Sequence, residues 1–144
     1  MKKTIVAVDP CDYEIRGLYR FASLKPTCTL PEEVAGVWPE NPRLLMIAAD
    51  PDDDTFIENL GMDFCSALTK ADIPVGELRI LQRETENVAK PLVEGADVIV
   101  LADGNDTKRQ AFFEAIDLPA LLQNAKEDAV LIALDEQALA TAGC

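Results

Sequence analysis

Apolar residues in this chain gather into five short runs, separated by stretches that repeat with helical period. The runs are Lys3–Val8, Arg43–Ala49, Glu77–Gln82, Asp97–Ala102 and Ala129–Leu134. The first, second, fourth and fifth are nearly continuous in Val, Ile, Leu and Ala, the pattern of strands buried on both faces of a parallel sheet. Glu77–Gln82 alternates polar and apolar residues, which places it nearer an edge. Between the runs, Asp54–Ala71 carries Phe56, Ile57, Leu60, Phe64 and Leu68 on one helical stripe. Thr107–Ile116 and Pro119–Ala125 read as two short helices broken at Asp117-Leu118-Pro119, and Glu86–Val93 as a helix that Pro91 interrupts. The stretch Asp9–Pro42 is proline-punctuated and predicts one short helix near Glu14–Ala22. Alternating strands and helices predict an α/β three-layer sandwich, a five-stranded and mainly parallel sheet joined by right-handed crossovers. No repeat or linker divides residues 1–144, so the expectation is a single domain.

Charge narrows the function classes. The chain has 26 Asp and Glu against 13 Lys and Arg, a formal net charge of -13. Such a surface repels nucleic-acid phosphates and anionic lipid, so neither nucleic acid nor membrane is expected as a partner. No run approaches the ~18 apolar residues of a membrane span, and the first residues lack the form of a secretory signal. The expectation is a cytoplasmic protein with its four cysteines reduced, since Cys11, Cys28, Cys65 and Cys144 form no CxxC pair.

The absence of histidine removes the commonest general base and metal ligand. Neither GxGxxG nor GxxxxGK[ST] occurs, so dinucleotide and triphosphate sites lack support. Ser23 and Ser66 are the only serines, and Ser66 falls inside a helical stretch. Cys11 follows the first strand but has no base to activate it.

Ligands of open parallel sheets bind beyond the carboxyl ends of the strands. Four runs end there at an aspartate: Asp9, Asp50, Asp103 and Asp135. A rim of carboxylates suits a hard cation such as Mg²⁺ or Mn²⁺. Equally, an aspartate after a strand caps the helix that follows, and Asp52, Asp53 and Asp54 suit a helical first turn.

Several segments, in order, resemble the peptidase E family of aspartyl dipeptidases, which has the class I glutamine amidotransferase-like fold. They are Lys2–Val8 with Glu14–Gly17, then Asn41–Ile47, then Gly95–Asn105, whose end resembles the family's Gly-Gly-Asn turn, and then Ala111–Leu118. The resemblance implies a serine nucleophile in a G-x-S-A-G elbow, but here that stretch reads Ala133-Leu134-Asp135-Glu136-Gln137, with Asp135 at the serine position. Gly104 stands at the oxyanion-turn position beside a carboxylate, Asp103, that repels a developing oxyanion. The glycines expected after the first strand are replaced around Asp9-Pro10-Cys11, and the family's catalytic histidine would lie beyond the last residue.

The resemblance therefore implies a domain without an intact catalytic set and without a cofactor. It would bind a small ligand or protein partner through Asp9, Asp50, Asp103, Asn105 and Asp135. The alternative is a Mg²⁺- or Mn²⁺-dependent enzyme using Asp9, Asp50, Asp103 and Asp135, with Asp135 as a carboxylate nucleophile. A homodimer is also expected, because the family fold continues past the elbow and ending at Cys144 should leave apolar surface or a strand edge uncovered.

Overall fold

Strands that are apolar on both faces must be covered on both, and the helices of this chain divide to do so. The computed structural model describes all 144 residues. The chain opens with β1 (Lys3–Val6), a hairpin of β2 (Cys11–Arg16) and β3 (Tyr19–Leu24), the short α1 (Leu30–Val34), and β4 (Arg43–Ile47). It continues through α2 (Asp54–Lys70), β5 (Glu77–Leu81), a 3₁₀ turn over Arg83–Val88, and α3 (Ala89–Gly95). The remaining elements are β6 (Val98–Leu101), α4 (Asp106–Ala115), α5 (Leu118–Gln123), β7 (Val130–Ala133) and α6 (Glu136–Thr141).

Five strands form one sheet in the order β1-β7-β6-β4-β5, and every pairing is parallel. The five apolar runs supply these five strands, with the alternating Glu77–Leu81 at an edge. Every residue of β6 and β7 is buried. One face carries α2, against which β3 of the hairpin packs; on the other, α3, α4, α5 and α6 touch one another in a layer. The result is the three-layer α/β sandwich that the strand and helix periods predict.

Two local expectations need correction. The segment near Glu14–Ala22 is no helix but the two antiparallel strands β2 and β3, paired from Cys11–Leu24 to Arg16–Tyr19. Side chains there alternate with period two, and Gly17 (φ 62) opens the two-residue turn with the positive φ that a II′-type connection needs at its first position. Pro91 does not interrupt a helix either. It stands third in α3, where the missing N–H would have had no intrahelical partner, so the proline helps begin the helix. The break after α4 falls where expected, at Asp117, which is left-handed with φ 52.

The crossovers position the rim at the carboxyl ends of the strands. From β4 the chain steps outward through α2 to β5, while from β6 it steps the opposite way to β7. The change of direction lies between β4 and β6, the switch point at which such sheets open a crevice at their carboxyl ends.

Centre and edge of the sheet should respond differently to truncation. Ile99→Ala, in fully buried β6, should cost about 2–5 kcal/mol in urea unfolding, whereas Ile80→Ala, half-buried on edge strand β5, should cost less than half as much.

Candidate functional site

Because every strand runs the same way, Asp9, Asp50, Asp103 and Asp135 all emerge on one rim of the sheet. They do not converge. No three Asp, Glu or Cys side chains anywhere in the chain come together in an arrangement that could hold a metal ion. The rim aspartates are instead drawn to separate partners.

Asp9 has a left-handed backbone (φ 45), and its carboxylate pairs with Lys25 at 2.7 Å. Asp50 accepts from Lys108 Nζ at 3.0 Å and from the Asp52 amide at 3.1 Å. The Lys108 ammonium, and after it that amide, hold the Asp50 carboxyl below its ordinary range, while Asp50 in turn raises Lys108. The Lys108–Asp50 pair spans the switch point, tying the loop after β4 to the first turn of α4.

Asp135 is the most fully engaged. One oxygen, Oδ1, accepts from the amides of Gln137 at 2.7 Å and Ala138 at 3.2 Å, capping α6. The other, Oδ2, accepts from Arg109 Nη2 at 2.7 Å. Its backbone is extended (φ -158, ψ 141), without the strain of a nucleophile elbow.

Arg109 was not among the residues singled out from sequence, yet it organises this end of the rim. Its side chain is wholly buried, and it also donates to Asp106 at 2.6 Å and to the Ala102 carbonyl at 3.3 Å. Its Nε has no partner. A signal was present in the chain: Arg109 precedes Phe112 and Phe113 by three and four residues, on the stripe of α4 that faces the sheet. A charge on an apolar stripe requires buried partners. Lys25 and Lys108, the cations paired with Asp9 and Asp50, gave no such local signal.

Gly104 and Asn105 have structural roles. Gly104 sits at φ 151, and a Cβ there would lie 3.0 Å from the Ala49 Cβ, so the loops after β6 and β4 touch at the switch point. Asn105 caps α4 through its side-chain oxygen, which accepts from the Lys108 amide at 3.0 Å.

Asp103 is the one strand-end aspartate without a cationic partner. Burial, and then the nearby Asp135 and Asp9 charges, push its carboxyl above the ordinary range, with Arg109 acting against them. Below it lies a cavity of about 60 Å³ bounded by Asp9, Cys11, Tyr13, Phe64 and Leu134, room for one or two waters. Cys11 is buried there and its thiol is pushed up to about 11, by burial first and then by Cys28 and neighbouring aspartates. It is therefore a protonated core thiol with no thiolate character at neutral pH. A hollow of about 180 Å³ lies outside β1, with Asp9, Lys25 and Cys28 on its walls. Both are smaller than the ~300 Å³ at which enclosed sites for organic ligands begin.

Two outcomes follow for this rim. Asp135→Ala should cost about 3 kcal/mol or more in urea unfolding, since it removes a helix cap and strands a buried guanidinium. Asp135→Asn should cost less, because asparagine caps as well as aspartate does. For Asp103 the folded-state pKa is raised, so the folded chain binds the proton more tightly than the unfolded chain. Stability is then lost as pH rises through the raised pKa. Asp103→Asn should accordingly raise Tm at pH 7 by a few degrees at most, and the gain should vanish below pH ~4.

Compared with protein-family models, with curated proteins and with solved structures, the chain matches none.

Proposed function

We propose that this chain is a peptidase E-like domain that acts by binding and not by hydrolysis, and that it does so as a homodimer. The observation that carries the reading is the state of Asp135. At the position where the resemblance calls for a free nucleophile in a strained turn, its backbone is extended. Both its oxygens are already engaged, by Arg109 and by the amides of Gln137 and Ala138. A carboxylate so engaged is a structural cap and anchor, poorly placed to attack a carbonyl.

The surroundings support the same reading. There is no histidine to serve as a base. Asp103 adjoins Gly104, where an oxyanion would need hydrogen-bond donors and meets a carboxyl instead. A parallel sheet between two helical layers is the layered architecture that the resemblance implies. A ligand for this rim would be cationic, or a basic segment of a partner, given the net charge of -13. The alternative, a Mg²⁺- or Mn²⁺-dependent enzyme, draws on one observation: Asp103 faces the charges of Asp135 and Asp9 without a cation of its own.

The test is an assay of purified wild type and Asp135→Ser against a panel of Asp-X dipeptides. Neither should turn over, because restoring the hydroxyl supplies neither base nor elbow. Turnover by wild type that survives Asp135→Ala would overturn the proposal. In parallel, millimolar Mg²⁺ or Mn²⁺ should leave Tm unchanged. A rise of several degrees that Asp103→Asn abolishes would establish the metal-dependent reading instead.

A further inference from the structure

The β2–β3 hairpin differs from the rest of the surface in two respects. Five of the eleven large apolar side chains exposed on the molecule lie on it: Tyr13, Ile15, Leu18, Tyr19 and Phe21. Leu18 is 99% exposed and Ile15 75%, a concentration of apolar and aromatic surface that marks an interaction site. In a chain of net charge -13 the hairpin is neutral, with Asp12 and Glu14 balanced by Arg16 and Arg20. Like the outer strands β1 and β5 of the main sheet, it also has an unpaired backbone edge, and here that edge coincides with the exposed apolar side chains.

That edge follows from the pairing pattern. β3 lies against α2, held by Arg20–Asp63 at 3.0 Å and by Lys70 donating to the Ala22 carbonyl at 2.8 Å. β2 has no substantial packing partner except β3. Pro10 accepts from the Lys25 amide at 2.8 Å, and Cys11–Leu24 to Arg16–Tyr19 continue the same antiparallel ladder. Inward and outward bonding alternates along such a strand, so Asp12, Glu14 and Arg16 bond to β3. The amides and carbonyls of Tyr13 and Ile15 then point outward, a template for another strand.

We propose that the partner for this edge is β2 of a second copy, paired antiparallel about a two-fold axis at Ile15 to give a four-stranded sheet. The inference rests on the homodimeric reading above and names its surface. In this register Ile15 meets its own counterpart, and Glu14 stands opposite Arg16 of the partner subunit, twice over by symmetry. Glu14 and Arg16 already pair within one chain at 2.9 Å. Dimerisation extends that pair into an alternating ladder of four charges. Aromatic rings on the arm are pre-positioned, with Arg20 over Tyr13 at 4.1 Å and Lys70 over Phe21 at 5.3 Å. The arm therefore loses little side-chain freedom on docking.

The test is sedimentation equilibrium of the full chain and three variants, each checked for an unchanged far-UV spectrum and thermal unfolding. Wild type should be dimeric at tens of micromolar. Ile15→Pro removes an outward amide while sparing the bonds to β3, and should weaken the dimer at least tenfold. Glu14→Arg and Arg16→Glu should each be monomeric, since each sets like charges opposite one another, and mixing the two should restore a heterodimer. A wild type that stays monomeric at hundreds of micromolar would overturn both the homodimer and this surface. A dimer that Ile15→Pro and both charge variants leave intact would overturn the surface alone. So would monomeric charge variants that fail to recombine.

Discussion

Parallel pairing is the constraint on which the rest of this molecule depends. Neighbouring parallel strands cannot be joined by a tight turn, so each pair requires a crossover, and each crossover brings a helix or the hairpin back across a face. β6 and β7 are buried along their whole length as a consequence. The same constraint sends every strand's carboxyl end to one rim, so four aspartates that are far apart in sequence share one side of the molecule. The crowding of charge at that rim is thus a consequence of topology, and the side chains around it had to accommodate it.

They do so by pairing and not by pooling. Lys25, Lys108 and Arg109 each take one aspartate, and the capping amides of α6 share the third. Arg109 is the costliest of these devices, because a guanidinium without solvent must find acceptors inside the protein. It finds two carboxylates and a carbonyl, and in doing so fixes the end of β7, the cap of α6 and the first turn of α4 relative to one another. Asp103 is left as the least compensated group, with its ionisation opposed by burial. A rim made this way is acidic, with three of its four strand-end carboxylates already paired to cations of the same chain.

The hairpin answers to different physics. It lies outside the parallel sheet, leans on α2 through one strand, and presents the other strand's edge and much of the molecule's exposed apolar area to solvent. In β2 the apolar Cys11, Tyr13 and Ile15 alternate strictly with the charged Asp12, Glu14 and Arg16, whereas in β3 the outward Tyr19 and Phe21 are as large and apolar as anything on the inward face. Only Cys11 and Ala22 are buried. The strand period was therefore present in β2, and the expectation of a helix over Glu14–Ala22 failed because it ran through the Gly17-Leu18 turn, where the alternation of β2 ends and the less regular β3 begins.

The sequence by itself determined which segments became sheet strands, which became the principal helices, and that four aspartates would share one rim. Each of these depends on the period of a residue's own element: continuous apolarity for a strand covered on both sides, a 3.6-residue stripe for a helix covered on one. The aspartate caps were legible for the same reason, since Asp53 and Asp135 bond to amides two or three residues ahead, whereas Asn105, read from the sequence as a ligand residue, caps α4. Only the tertiary structure decided the strand order, the pairing of Asp9 with Lys25, Asp50 with Lys108 and Asp135 with Arg109, and the burial of that arginine. Those partners lie 16, 58 and 26 residues apart. What brings them together is the direction of each crossover and the packing of helices on a twisted sheet, which no local period encodes.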